Sequence, residues 1–421
     1  MKKILFLTLD LPNFQEATSG GGIYADLIRS LSQKGTDVYV LCQAIRGQKE
    51  GINTENGIIT VRTKVPFLTK NTSLWKKGLG SLLMNWYYLS SYNKYLLDTK
   101  FDFIVLPTPP STMVDIVRRI KKRTGAKLYV ILRDIQPECA DRKVDPSVLQ
   151  REDVYDECKK SYSINFVARF LLYRKSQNLY KIADRIGCMS PGNIAFMKTI
   201  APFVSDRQLV VLPNWYEYSM TNTDIDDSIL ETYNLTGKYI AIFGGNIGPQ
   251  QAIWNIATLA KHYRHKSDIV FLVVGRGTKL RKLKELAIQD SLDNIKFINY
   301  LPSNEYNALL RKADVGIISL DEKYKVPTCP SKIIGYMALS KPVIAMFNEG
   351  SDYGDFYIDR PGCGLWSTGL DHNKMFENFD YLYNNPDERR IMGQAGYDYF
   401  IRHLSTEVIT QSLIEQLMSI G

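Results

Sequence analysis

Apolar residues along the chain recur in two alternating rhythms. Short runs rich in aliphatic and β-branched residues, "KILFLTL", "DVYVLCQ", "DFIVLP" and "KLYVIL", alternate with stretches such as "GGGIYADLIRSLSQKG" and "IVRRIKKRTG", whose apolar positions fall three and four apart. The first rhythm predicts strands buried on both faces and the second predicts helices lying across them, the grammar of a parallel, helix-covered sheet. After "VVLPNWYEYSMTNTDIDDS" the alternation starts again with "YIAIFGG", "WNIATLAKHYRH", "DIVFLVVG", "KLRKLKELAIQ", "NIKFINYLP", "NEYNALLRKA" and "DVGIISL". In "PSKIIGYMALSKPVIAM", residues 330 to 346, Ile333, Ile334, Met337 and Ala338 keep helical spacing until Pro342 breaks it before an apolar run. That stretch reads as helix, tight turn and buried strand. Pro330, Ser331 and Lys332 would open the helix with free backbone N–H groups, a hydroxyl and a cation aimed at one spot.

The pattern divides the chain into a first domain over 1–216, a linker over 217–228 and a second domain over 229–402. An amphipathic segment over 403–421, "STEVITQSLIEQLMSIG", closes the chain and is expected to pack back toward the first domain. A length of 421 residues agrees with two domains. The start "MKKILFLTLDLP" is too short in its apolar run, and too soon interrupted by Asp10, for a signal peptide. Six cysteines without metal-type spacing favour a reduced, cytoplasmic setting, and no apolar run approaches a membrane span. Charge is divided unevenly: residues 1–218 hold 32 basic and 20 acidic groups, net +12, and the remainder holds 21 and 24, net −3. Nucleic acid, an anionic membrane surface or a small anionic substrate would each suit the basic half.

Doubly wound domains bind ligands at the carboxyl ends of their strands. Glycines fall there twice, at Gly20, Gly21 and Gly22 after the first strand and at Gly244, Gly245 and Gly248 around Asn246 in the second domain. Such turns let backbone approach a phosphate closely. Neither completes a GxGxxG fingerprint with an acidic ribose partner, which disfavours a dinucleotide enzyme.

The runs "FGGNIGPQQAIWNIATLA", "FLVVGRGTKLRKLKELA", "FINYLPSNEYNALLRKADVGIISL" and "PSKIIGYMALSKPVIA" resemble the second domain of GT-B retaining glycosyltransferases of family 4. "SGGGIYADLIRSLSQKGTDVYVLC", "LRDIQPE", "DRIGCMSPGN" and "VLPNWYE" follow the family's order in the first half, so the resemblance covers nearly the whole chain. Within the family the chain is most similar to bacterial enzymes of surface-polysaccharide assembly with a PSK motif. The resemblance implies an α/β GT-B fold, two doubly wound Rossmann-like domains with an interdomain cleft. It further implies a metal-independent hexosyl or N-acetylhexosaminyl transferase that takes a nucleotide sugar, UDP-linked by preference, as substrate and needs no cofactor and no nucleic acid.

The donor diphosphate would then lie among Gly21, Gly22, Gly245, Asn246, Arg276, Ser331 and Lys332. The family's two glutamates would fall at Pro327 and Gly335, and the Arg and Lys of its second glycine loop at Asn246 and Gln251; none of these is charged here. Lys332 and Arg276 are the available replacements. The family's first-domain histidine has its place at Arg133-Asp134, and no histidine precedes His262. Arg133 suits neutralisation of phosphate or sugar oxygens, while Asp134 or Glu138 suits orienting an acceptor hydroxyl or taking its proton. In the family's retaining chemistry the departing phosphate oxygen itself helps deprotonate the acceptor.

A lipid-linked saccharide acceptor fits "FLTKNTSLWKKGLGSLLMNWYYLSSYNKYLL", where Trp75, Trp86, Tyr87 and Tyr88 interleave with Lys70, Lys76 and Lys77, and the cationic run over 159–185. Aromatics with lysines suit a headgroup interface, giving a cytoplasmic protein held peripherally on the inner membrane face. Helical apolar spacing in the same segment would equally cover the domain's own core. A silent sugar-nucleotide-binding subunit and a non-hydrolysing nucleotide-sugar epimerase are the alternative functions.

Overall fold

A computed structural model describes residues 2–9, 11, 22–44, 47–66, 74–108, 111–135, 166–218, 228–322, 326–327 and 329–420. They form two compact units, Met1–Pro213 with Thr406–Gly421, and Asn214–Ser405. In the first unit, β1 (Lys3–Leu7), β2 (Asp37–Gln43), β3 (Gly51–Glu55), β4 (Ile58–Thr63), β5 (Phe103–Pro107), β6 (Lys127–Leu132), β7 (Arg185–Cys188) and β8 (Leu209–Val211) make one sheet. Its order is β3-β4-β2-β1-β5-β6-β7-β8, with β3 antiparallel to β4 and the other pairs parallel. Strands β5 and β6 are buried almost throughout, as strands covered on both faces must be.

Helices α1 (Ile23–Gln33), α2 (Leu74–Tyr95), α3 (Val114–Thr124), α4 (Phe166–Ile182) and α5 (Pro191–Ile200) connect these strands. Helix α3 shows how the sequence sets such a helix. Val114, Ile116, Val117 and Ile120 are buried, Lys121, Lys122 and Arg123 lie in the last turn, where the helix dipole favours cations, and Gly125 ends it at φ 72°. The side of α2 that packs inward carries Tyr88, which is wholly buried and donates its hydroxyl to Thr8 O at 2.8 Å. Tyr88 is thus a core residue rather than an interface aromatic, because the helical spacing that suggested a membrane face also fits a core-facing stripe.

The second unit has β9 (Tyr239–Asn246), β10 (Ile269–Arg276), β11 (Ile295–Ile298), β12 (Val315–Ser319), β13 (Val343–Phe347) and β14 (Gly364–Thr368). They pair in parallel in the order β11-β10-β9-β12-β13-β14. Helices α6 (Ser228–Thr232), α7 (Ile253–His262), α8 (Leu280–Gln289), α9 (Ser303–Lys312), α10 (Lys332–Ala338), α11 (His372–Asn384) and α12 (Pro386–His403) complete it. Phe243, Ile256, Leu259, Phe271, Ile317 and Phe379 are among the residues that fill its core. The strand order reverses direction between β1 and β5 in one sheet and between β9 and β12 in the other, which marks the carboxyl ends of β1 and β9 as the ligand-binding places of such folds.

The last helix, α13 (Thr406–Met418), belongs to the first unit, where Tyr129 donates to Gln416 Oε1 at 2.5 Å and Gln416 Nε2 donates to Val211 O at 3.1 Å. The sequence reading began the linker after residue 216, whereas Tyr216 is already built into the second unit. Its N–H donates to Leu404 O at 3.2 Å and it pairs with Ser405. Residues 219–227, the rest of that segment but for its ends, lie outside the described residues. Cys42, Cys188, Cys329 and Cys363 are buried.

Candidate active site

In the second unit the carboxyl ends of β9 and β10 are paired through glycines. Gly275, at φ +143°, pairs with Gly245, at φ +106°, and Arg276 pairs with Asn246. Ile247 N donates to Arg276 O at 3.0 Å and Lys279 N donates to Ile247 O at 3.0 Å, so the Gly245–Gly248 turn is tied to the turn after β10. A Cβ on Gly275 would stand 2.0 Å from Gly245 O, which only glycine avoids. Gly245 and Asn246 themselves are exposed.

Beneath this turn lies a layer of tyrosines. The hydroxyl of Tyr336, on α10, donates within reach of Ile242 O and Ile317 O and accepts from Gly244 N at 3.3 Å. It is also hydrogen-bonded to Tyr306 of α9. Burial pushes both phenols upward, so they remain neutral. Gly244 leaves room for Tyr306, whose hydroxyl occupies the place a Cβ would take.

Lys332, the first residue of α10, reaches back to the turn. Its Cε lies 3.9 Å from the position of a Cβ on Gly245, its Nζ sits 4.2 Å from the centre of the Phe243 ring, and Nζ donates to Gln251 Oε1 at 2.5 Å. Among the described residues no carboxylate pairs with it. Enclosure by apolar and neutral groups brings its pKa down to about 7. The family pattern places a lysine at 251, where this chain has glutamine. Lys332 Nζ reaches that same side chain from α10.

The other expected donor residues are placed less tightly. Arg276 is exposed and lies over the Tyr300 ring, 4.9 Å from its centre. Ser331 is exposed and makes no capping hydrogen bond, and Ile333 N and Ile334 N are already bonded to Pro330 O and Ser331 O at 3.2 and 3.1 Å. The start of α10 therefore offers fewer free N–H groups than the sequence suggested, because the chain closes tight turns on itself there. Pro327 is buried, and Gly335 faces Tyr216, 4.0 Å from its would-be Cβ. Glu322, past the end of β12, accepts from Glu349 N at 3.0 Å and from Gly369 N, tying the segments after β13 and β14 together; burial raises its pKa.

In the first unit Gly22 precedes α1 at φ 103°, and Gly21 and Glu138 lie outside the described residues. Arg133 and Asp134 follow β6, with Arg133 N donating to Thr108 Oγ1 at 3.2 Å. Tyr24, in the first turn of α1, is hydrogen-bonded to Arg133 and feels the charge of Asp134. Burial raises the pKa of Asp134 against the opposing pull of Arg133. Tyr24 was not singled out from the sequence; its place two residues beyond Gly22 is the signal that would have found it.

Residues 227–399 match the family model for Glycosyl transferases group 1. The chain is 26% identical over 304 residues to a probable glycosyltransferase, WbjE, of Pseudomonas aeruginosa, a match spanning 72% of this chain and 70% of that protein. It is 24% identical over 172 residues to WcaI of Escherichia coli K12, a putative colanic acid biosynthesis glycosyl transferase, across 40% of this chain and 42% of that one. Among solved structures it is similar to HepE of Anabaena in complex with UDP and glucose, with TM-score 0.66, 14% identity and full coverage of both chains. The structural likeness establishes the GT-B fold of two Rossmann-like α/β domains, and the family match places a glycosyl transferases group 1 region over residues 227–399.

Proposed function

We propose that this chain transfers a hexosyl or N-acetylhexosaminyl group, with retention of anomeric configuration, from a nucleoside-diphosphate sugar to a lipid-linked saccharide in capsule, O-antigen or exopolysaccharide synthesis. The observation that carries the reading is Lys332, a basic side chain without a carboxylate partner among the described residues, set beside a glycine turn at the carboxyl ends of parallel strands. Such a place suits a diphosphate. UDP is the favoured nucleotide because HepE, of the same fold, was crystallised with it. In the reaction the bond from the anomeric carbon to the donor's phosphate oxygen breaks and the electron pair leaves with the diphosphate, whose growing charge Lys332 and Arg276 stabilise. The acceptor oxygen forms the new bond on the same face, and its proton passes to the departing phosphate oxygen or to Asp134.

The membrane part of the reading rests on the first unit. Trp86 on α2 is 64% exposed, Phe170 and Leu171 on α4 are 50% and 49% exposed, and Arg174 lies over the Phe170 ring. Helix α3 packs against both α2 and α4 and exposes Arg118, Arg119, Lys122 and Arg123. Exposed aromatics beside cations suit peripheral contact with an anionic leaflet. Among the described residues no helix is long and apolar enough to cross a membrane.

The uncharged Pro327 and Gly335 favour one second reading, a subunit that binds the nucleotide sugar without turning it over. Incubation with a panel of nucleotide sugars and lipid-linked acceptors separates the two. A transferase releases nucleoside diphosphate, continues to do so in EDTA, and yields a product whose anomeric proton coupling matches the donor's. Binding without release would establish the silent subunit, and an inverted product would end the retaining assignment.

A further inference from the structure

We propose that Lys332 takes up a proton when the donor diphosphate binds beside it, and that Gln251 is the positioning residue that keeps its amine aimed at the Gly245 turn. This rests on the donor-site reading above and adds to it the linkage and the residue that sets it.

Among the described residues, the groups that touch the amine are apolar or neutral. Phe243 of β9 lies under Nζ, Gln251 from the turn before α7 accepts its hydrogen bond, and Tyr336, one turn along α10, is a neutral phenol bonded in turn to Tyr306 of α9. Glu322 is bonded to the backbone of Glu349 and Gly369, Arg276 lies on the Tyr300 ring, and the buried Asp321 donates its N–H to Gln250 O at 2.9 Å. Burial alone therefore sets the basicity of Lys332, which titrates near neutrality in the free protein. A diphosphate arriving at the Gly245 turn supplies the missing opposite charge and favours the protonated amine. A neutral partner at 251 is what leaves this amine titratable. A carboxylate there would hold the proton permanently, and an apolar side chain would leave the amine without its hydrogen bond.

The test is calorimetry with UDP-glucose, whose diphosphate is esterified at both ends and so lacks the second ionisation of a phosphate monoester at about 6. Titrations in buffers of different ionisation heat are expected to show uptake of about one proton per site at about pH 8, falling toward none at about pH 6. Binding at about pH 8 with no proton exchange would overturn the proposal. Gln251→Glu is expected to abolish the uptake, and Gln251→Leu to keep it while weakening binding about tenfold, the scale of one neutral hydrogen bond. Uptake unchanged in the first variant, or affinity unchanged in the second, would remove Gln251 from the account.

If neither UDP-glucose nor UDP binds, the donor reading has failed and the amine is tested without ligand. An unfolded lysine stays charged to about 10.4, so between about pH 7 and 9 the unfolded chain binds more protons than the folded one and stability rises with pH. The thermal midpoint of the native chain should gain on that of Lys332→Met across that interval. Parallel curves would show that Lys332 is charged throughout and refute the proposal.

Discussion

Replacing Gly275 by alanine puts a methyl carbon 2.0 Å from the carbonyl oxygen of Gly245 and 2.9 Å from its carbonyl carbon. Both are backbone atoms, so no side-chain rotation relieves the contact; β9 and β10 must part, and with them the bonds Ile247 N to Arg276 O and Lys279 N to Ile247 O. A residue at φ +143° adds backbone strain of about 1–3 kcal/mol, and forcing strands apart adds overpacking of about 1–3 kcal/mol. A total of about 2–6 kcal/mol is expected, a large share of the stability of an ordinary domain. Gly125 provides the control: it too has positive φ, at 72°, but a Cβ there meets nothing within 4 Å, so Gly125→Ala should cost only about 1–2 kcal/mol. Urea unfolding followed by tryptophan fluorescence and circular dichroism measures both variants. Because the Gly245 turn shifts with the strands, Gly275→Ala should also lose UDP binding under conditions where it remains folded. Equal costs for the two substitutions, or native UDP affinity in Gly275→Ala, would refute the close approach as the basis of the turn.

Lys332→Ala and Arg276→Ala should each weaken UDP binding by about 1–3 kcal/mol in calorimetry, the scale of a lost charged hydrogen bond; native affinity in both would remove the diphosphate from this turn. Asp134→Asn should lower kcat by about a hundredfold or more while leaving donor affinity intact. Because burial raises the pKa of Asp134, a rate that depends on its ionised form should fall as pH drops through a value above the usual carboxylate range, and a pH profile flat through that region would exclude it as proton acceptor. Changing Phe170 and Leu171 together to Glu should abolish sedimentation with anionic liposomes at low salt, and undiminished binding would leave the exposed face of α4 without a membrane role.

The two largely parallel sheets and the Gly244–Gly248 turn were legible because each of these strands and that turn carry their signal in consecutive residues. Lys332 and Arg276 were legible for the same reason, as polar residues at strand and helix ends. What surrounds them was not. Phe243, Gln251 and Lys332 are separated by up to 89 positions and meet only once β9, the turn before α7 and α10 are assembled. Tyr24 meets Arg133 across the first sheet in the same way, and Tyr306 finds its place under Gly244 only through the packing of α9. Tyr88 shows the converse limit. Its helical spacing fitted a membrane face and a core face equally, and only the neighbouring β1, with Thr8 O as its hydrogen-bond partner, decides for the core.

The donor site is tested most directly by a crystal structure of the protein with UDP. The account expects the diphosphate against the Gly245–Asn246 turn, with a phosphate oxygen within hydrogen-bond distance, about 2.7–3.2 Å, of Lys332 Nζ and Gln251 turned to accommodate it. UDP bound with its phosphates away from that turn, and Lys332 still held only by Gln251, would contradict it.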